Sequence, residues 1–229
     1  MDEERLLYMR KLFTGDLMKF RESLLMMASL TDRNLTMALN ALLHRDEEKA
    51  NLVESEDAVI DQLEMETDEM VVNYISRHGT MATYTRLMMS ASRISERLEN
   101  IADQATSVAR RARTLSQMPE VYPGIDIQKI GQMLLDHMRD SINAFVEVDP
   151  EKAALIVKKD KEIDALTKES ETALIAYMQE NSYAVPSCVH YLIICRSLEK
   201  AGDHVKKIAE DVYFLYTAED IRHPACSKI

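Results

Sequence analysis

The sequence predicts an all-α protein made of two tandem, pseudo-symmetric three-helix bundles, and three observations predict it. Helix breakers are scarce, with only five Gly and five Pro in 229 residues, and neither occurs from Asp16 to His78. Apolar residues recur at spacings of three and four, as in Leu87, Ala91, Ile94, Leu98, Ile101, Ala105 and Val108, while no strand-length run alternates apolar with polar. Finally, the second and third helical stretches are each written twice.

Each element follows from this punctuation. The unbroken stretch predicts helices over 4–43 and 47–77. The next, over 81–117, lies between Gly79 and the breaker cluster QMPEVYPG. A fourth helix over 126–148 is bounded by Gly124 and Pro150, a fifth spans 151–180, and a sixth follows Pro186 over 187–217. At about 1.5 Å per residue the longer ones reach ~45 Å or more, a length that suits bundles. Residues 1–117 form the first bundle, 118–125 the joint, and 126–229 the second bundle with a short tail.

The duplication is legible residue by residue. ISERLENIADQATSVA from Ile94 aligns without a gap on ICRSLEKAGDHVKKIA from Ile194, pairing Leu98 with Leu198, Glu99 with Glu199 and Asp103 with Asp203. EKANLVESEDAVIDQLEMETDEMVVNYI from Glu48 aligns on EKAALIVKKDKEIDALTKESETALIAYM from Glu151, pairing Asp57 with Asp160, Asp61 with Asp164 and Tyr74 with Tyr177.

Composition narrows the function. With 46% hydrophobic residues the chain has material for one or two packed domains. Its 28 basic against 39 acidic residues leave a net charge of −11, which repels a phosphate backbone and argues against nucleic acid as a partner. Cys188, Cys195 and Cys226 are odd in number and lack CxxC spacing, which points to a reducing, cytoplasmic setting. The opening MDEERLLYMRKLF is acidic and mixed, unlike a signal peptide, and no apolar run approaches the ~20 residues of a membrane span, so membrane contact is expected to be peripheral at most.

The chemistry rests on repeated acids. Two carboxylates four residues apart on a helix repel unless something cationic neutralises them. Glu54, Asp57, Asp61, Glu64 and Asp68 draw one acidic stripe along the second helix. Taken alone, such a stripe reads as a solvated face. Acid pairs at matching places on two helices of both halves read instead as facing carboxylates that need a cation, protons or a basic partner. An all-oxygen donor set suits Mg, Ca, Mn or iron, and the Cys and His spacing of a zinc site is absent.

The segment LEKAGDHVKKIAED, followed by LYTAEDIRH from Leu215 to His223, resembles the signature of the PhoU family, Leu-Glu-Arg-Ile-Gly-Asp-His followed by Asn-Ile-Ala-Glu. The first-half copy, LENIADQATSVA, departs from it at Asn100, Ala102 and Gln104, and GTMATYTRLM keeps Arg86 but lacks the family's Pro and Asp. The resemblance implies two three-helix bundles and a non-enzymatic regulator that dampens phosphate-starvation signalling. Its implied partners are the ATPase subunit of a phosphate ABC transporter and a sensor histidine kinase, with a homodimer left open. Carried over by position, the family's metal motifs fall on Asp57, Asp61, Glu99 and Asp103, and on Asp160, Asp164, Glu199 and Asp203. The implied metal is iron, with Mg, Mn and Ca as alternatives. A second reading is a PhoU-like metal-binding protein that regulates a different transporter or metal homeostasis.

Other candidates carry less. A ferritin-like di-iron enzyme needs Glu-x-x-His, and none of the six histidines has Glu three positions before it. His204, about 100° around the helix from Asp203, reads as a surface residue rather than an outer-shell partner. The methionine pairs in SLLMMASL and RLMMSAS read as core filling, and Cys188 and Cys195 as small buried residues. Gly202 admits two readings, close approach over the acids or tight helix packing. Asp220 and His223 belong to the tail.

Overall fold

The computed structural model describes residues 15–78 and 81–222. Six α-helices run through them: α1 (Asp16–His44), α2 (Glu47–His78), α3 (Ala82–Ser116), α4 (Ile127–Glu147), α5 (Pro150–Glu180) and α6 (Val185–Thr217). A 3-10 turn, Ser182–Ala184, leads into α6, and there is no strand among the described residues. These bounds lie within two residues of those expected from spacing. One exception is Gly15, which the first expected helix runs through but which stands outside α1 as its N-cap, with a left-handed φ of 60° that a helix cannot continue through. Positions 4–14 of that expected helix, and Gly79, His223, Pro224 and Cys226, lie outside the described residues.

The same turn closes α1 onto α2 and α4 onto α5. Arg45 and Val148 both take left-handed φ, 54° and 58°, and their N–H groups donate to the carbonyls of Ala41 and Ala144. Asp46 and Asp149 come next, and each accepts through Oδ1 from the backbone N–H of Lys49 or Lys152, at 3.0 and 2.9 Å. Such a cap contributes about 1 kcal/mol, of the order of what a left-handed non-glycine residue costs. Burial of Val148 adds to the balance in the second half. Arg45 also donates to the Ser116 carbonyl at 2.8 Å, which ties this turn to the end of α3.

Packing divides the helices into inner and outer. α1, α2 and α3 pack together, as do α4, α5 and α6, and the halves join where α3 meets α6 and α1 meets α4. The outer helices bury a narrow seam: Val53, Ile60, Thr67 and Tyr74 on α2, and Ile156, Ile163, Ser170 and Leu174 on α5. On α2 these stand seven apart and on α5 the buried residues recur at three and four, and in both cases the stripe contacts neighbouring helices along one side and leaves the rest of the helix wet. The inner helices bury far more. The two inner helices run antiparallel: Arg93 early in α3 reaches Asp211 late in α6 at 3.4 Å, and Ser107 late in α3 hydrogen-bonds Ser197 early in α6 at 3.0 Å. Arg86 Nε donates to the Leu215 carbonyl at 3.0 Å.

Three side-chain expectations resolve here. Cys188 and Cys195 are buried as free thiols. The methionine pairs split, because consecutive helical residues point 100° apart: Met27 and Met88 are core, whereas Met26 and Met89 are 55% and 45% exposed. His204 is not a surface residue. It is half-buried, and burial, followed by Lys207 and Arg97, pushes its imidazole down to about 4. The 100° turn from Asp203 carries it toward α3 and the joint between the halves rather than into solvent.

Two glycines predict opposite outcomes. A Cβ on Gly202 would lie 3.5 Å from Ile163 Cγ2 and 3.9 Å from Asp160 Oδ1, ordinary contacts that require no glycine. Gly202→Ala should therefore raise stability by up to about 1 kcal/mol through helix propensity. A Cβ on Gly131 would lie 2.6 Å from both methyls of Leu39 across the α1–α4 contact. Gly131→Ala should lower stability by about 1–3 kcal/mol. Urea denaturation of both variants checks the pair.

Candidate functional site

The acids sit where outer and inner helices meet. Asp57 and Glu64 continue the buried seam of α2, and Asp160 and Thr167 take the same places on α5. Asp61 and Asp164 lie one turn further along, on the exposed shoulder of the seam. Across from them, Glu99 and Glu199 are half-buried and Asp103 and Asp203 exposed, on α3 and α6.

In the first half the ends of the acidic stripe have partners. Glu54 is 2.7 Å from Arg113 and 3.3 Å from Arg110. Asp57 accepts from the Thr106 hydroxyl at 3.1 Å, and Asp68 from the Ser92 hydroxyl at 2.6 Å. Between them, Asp61, Glu64, Glu99 and Asp103 are each raised first by burial and then by neighbouring acids. Burial pushes the Glu99 carboxyl up to about 7, helped in order by Asp103, Glu64, Asp61 and Asp57. Burial and then Asp57 raise Asp61, while burial, Asp57 and Asp61 raise Asp103 against the pull of Arg110. Glu64 is raised by burial, Asp68, Glu96 and Asp61.

The second half is arranged differently. Asp160 has a side chain only 5% exposed, and its Oδ2 accepts from Lys206 Nζ at 2.8 Å. Burial, followed by Asp160 and Asp203, raises Asp164, and Lys206 opposes this. Glu199 is raised by burial and then by Asp164, Glu171 and Asp203, against Arg196, which itself pairs with Glu171 at 3.2 Å.

All eight carboxylates proposed from sequence thus gather in two groups, one per half. Among the described residues, no three Asp, Glu, His or Cys side chains converge closely enough to ligate one ion. In the first half the donor set is oxygen only, and no Lys or Arg hydrogen-bonds Asp61, Glu99 or Asp103 among the described residues, so the donor chemistry is of the kind that suits a hard cation. In the second half an ammonium already holds the buried carboxylate. Sequence reasoning did not assign roles to Glu64, Thr106 or Lys206. Glu64 and Thr106 belong to the first group and Lys206 to the second, and the gapless repeat, which sets Thr106 against Lys206 and Glu64 against Thr167, is the signal that reveals all three.

Fold and site together define a class: a duplicated all-α protein whose inner and outer helices meet along carboxylate-bearing seams. The PhoU domain family matches residues 24–112 and 127–212, one match in each half, and the chain belongs to the PhoU family. It is 34% identical over 211 residues to the phosphate-specific transport system accessory protein PhoU homolog of Zymomonas mobilis, covering 92% of this chain and 89% of that one. The homolog of that name from Pseudomonas aeruginosa is 33% identical over 92% of this chain and 88% of its own length. The crystal structure of PhoU from Pseudomonas aeruginosa superposes with a TM-score of 0.84 at 32% identity, over 89% of this chain and 98% of that one. PhoU from Streptococcus pneumoniae, a phosphate transport system regulatory protein at 24% identity, shares the fold with a TM-score of 0.81, over 90% of this chain and 97% of its own.

The electrostatics set a pH dependence. With metal chelated, the folded chain keeps the Glu99 proton up to about pH 7, whereas an unfolded glutamate releases it near the ordinary 4.5. Above 4.5 the unfolded state therefore binds fewer protons, and stability falls as pH rises through 4.5 to 7. Glu99→Gln removes this loss. After discounting for screening of a partly exposed group, the variant should exceed wild type by about 1 kcal/mol at pH 8 and lose that advantage near pH 4.5. Melts in chelator across this range check it, and a pH-independent difference contradicts it.

Proposed function

We propose that this chain is a non-enzymatic regulator of phosphate uptake and phosphate-starvation signalling, an adapter between the ATPase subunit of a phosphate ABC transporter and a sensor histidine kinase. The observation that carries this reading is family membership across both halves, with relatives over about nine-tenths of the chain named as accessory proteins of a phosphate-specific transport system. Among the described residues no helix is long and apolar enough to cross a membrane, which agrees with docking on a transporter from the cytoplasmic side.

The carboxylates give the adapter a means of responding to ions. Asp57, Asp61, Glu99 and Asp103 would hold a hard cation, iron first and Mg, Mn or Ca as alternatives. A bound cation would supply the positive charge that the facing acids lack. These residues tie α2 to α3, so cation binding would bias any equilibrium in which the outer helix moves against the inner one. The acid-rich first half equally favours a second reading, regulation of a different transporter or of metal homeostasis.

Deleting the gene separates the readings. The phosphate reading predicts phosphate-starvation genes expressed constitutively in phosphate-rich medium, with repression restored by the wild-type chain. Normal repression together with a metal-specific growth defect contradicts it and supports the second reading. Purified protein should also bind the purified transporter ATPase or kinase directly in a pull-down; binding to neither contradicts the adapter role.

A cation ligand adds an independent prediction. Added Fe(II) or Mn(II) should raise the melting temperature of wild type by mass action. In Asp61→Asn/Glu99→Gln that rise should be lost.

A further inference from the structure

The repeat makes the two halves comparable atom by atom, and at the acidic seam they differ in sign. In the first half Asp57 has a neutral partner, the Thr106 hydroxyl at 3.1 Å. In the second, the matched Asp160 has a cationic one, Lys206 Nζ at 2.8 Å. Glu64 becomes Thr167 on the seam, and Glu96, facing Glu64, becomes Arg196, which pairs with Glu171, whereas Arg110, which pairs with Glu54 and opposes the rise of Asp103, becomes Glu210.

We propose that Lys206 is a built-in counter-ion that closes the second half to metal, so that the chain loads a hard cation in its first half alone. The geometry carries the inference. Asp160 is the most deeply buried of the eight repeated carboxylates, and its Oδ2 is already held by a charge-assisted hydrogen bond from Lys206, so a cation approaching this carboxylate would have to displace the ammonium or sit beside it. Either way the ammonium, anchored on α6 beside the same acids, would repel the incoming cation. Burial of Asp160 also explains why a counter-ion is needed at all, since a buried carboxylate left unpaired is strongly destabilising. The inference rests on the reading of the first half as a cation site, and its test separates the two.

The probe is Mn(II), counted by mass spectrometry after equilibrium dialysis and followed by its shift of melting temperature. Four chains are compared: wild type, Lys206→Thr, which imports the first-half residue, Lys206→Arg, which keeps the charge, and Asp57→Asn/Asp61→Asn. The expected result is a twofold rise in bound Mn(II) for Lys206→Thr, no change for Lys206→Arg, and near-complete loss for Asp57→Asn/Asp61→Asn. Adding Lys206→Thr to that double variant should restore binding and the thermal shift. Equal binding by wild type and Lys206→Thr, with half retained when the first-half acids are removed, overturns the role of Lys206 and leaves the first-half site standing. Binding by Lys206→Thr alone supports the counter-ion and overturns the first-half site. No binding by any chain overturns both. If Lys206→Thr does not fold, Lys206→Gln, which can still donate to Asp160, takes its place with the same expectations.

Discussion

A carboxylate on the seam between two packed helices has to be balanced, and the way each half balances it organises the rest of this protein. The outer helices α2 and α5 touch the core along one narrow stripe. Asp57 and Asp160 stand in that stripe between apolar residues that are fully or nearly fully buried, so neither can be treated as surface charge. Desolvation disfavours the charged form, and facing acids add to the penalty. In the first half no ammonium or guanidinium hydrogen-bonds Asp57, Asp61, Glu99 or Asp103 among the described residues, and burial, followed by the facing acids, pushes Glu99 up to about 7. The second half inserts an ammonium.

The same arrangement links the site to the joint between the halves. Glu99 and Asp103 lie on α3, whose other faces pack on α1 and on antiparallel α6. The joint is held by specific polar contacts, Arg93 to nearly buried Asp211 and Ser107 to Ser197, as well as by apolar packing. Neutralising the first-half acids changes forces on a helix that both halves share. If the first half takes up a cation as proposed, the pseudo-symmetric fold would offer a regulator two unlike halves, one carrying an acid group open to cations and one whose buried acid is already paired with Lys206.

Much of this was legible in the sequence, for identifiable reasons. Helix bounds followed from breakers at the ends of long apolar-periodic runs, because a Pro is tolerated in the first turn of a helix and a Gly outside one, whereas Gly131 and Gly202, isolated within such runs, are carried inside α4 and α6. The acid groups followed from a repeat without gaps. The closing turns did not, since Arg45 and Val148 adopt left-handed backbone that their side chains disfavour, and only the Asp cap after each hints at it. His204 was misplaced because a helical angle says where a side chain leaves its own helix, not which neighbour lies there. Lys206 was present in the aligned repeat but silent until the structure set its Nζ against Asp160. Periodicity registers which face a residue occupies; the partner across the seam is a tertiary fact.

Balance within each half is tested most directly by anomalous diffraction from a crystal grown with Mn(II). The account predicts a peak among Asp57, Asp61, Glu99 and Asp103 and none beside Asp160, where the Lys206 ammonium should occupy the density. Peaks of equal height in both halves, or a peak beside Asp160 alone, would contradict it.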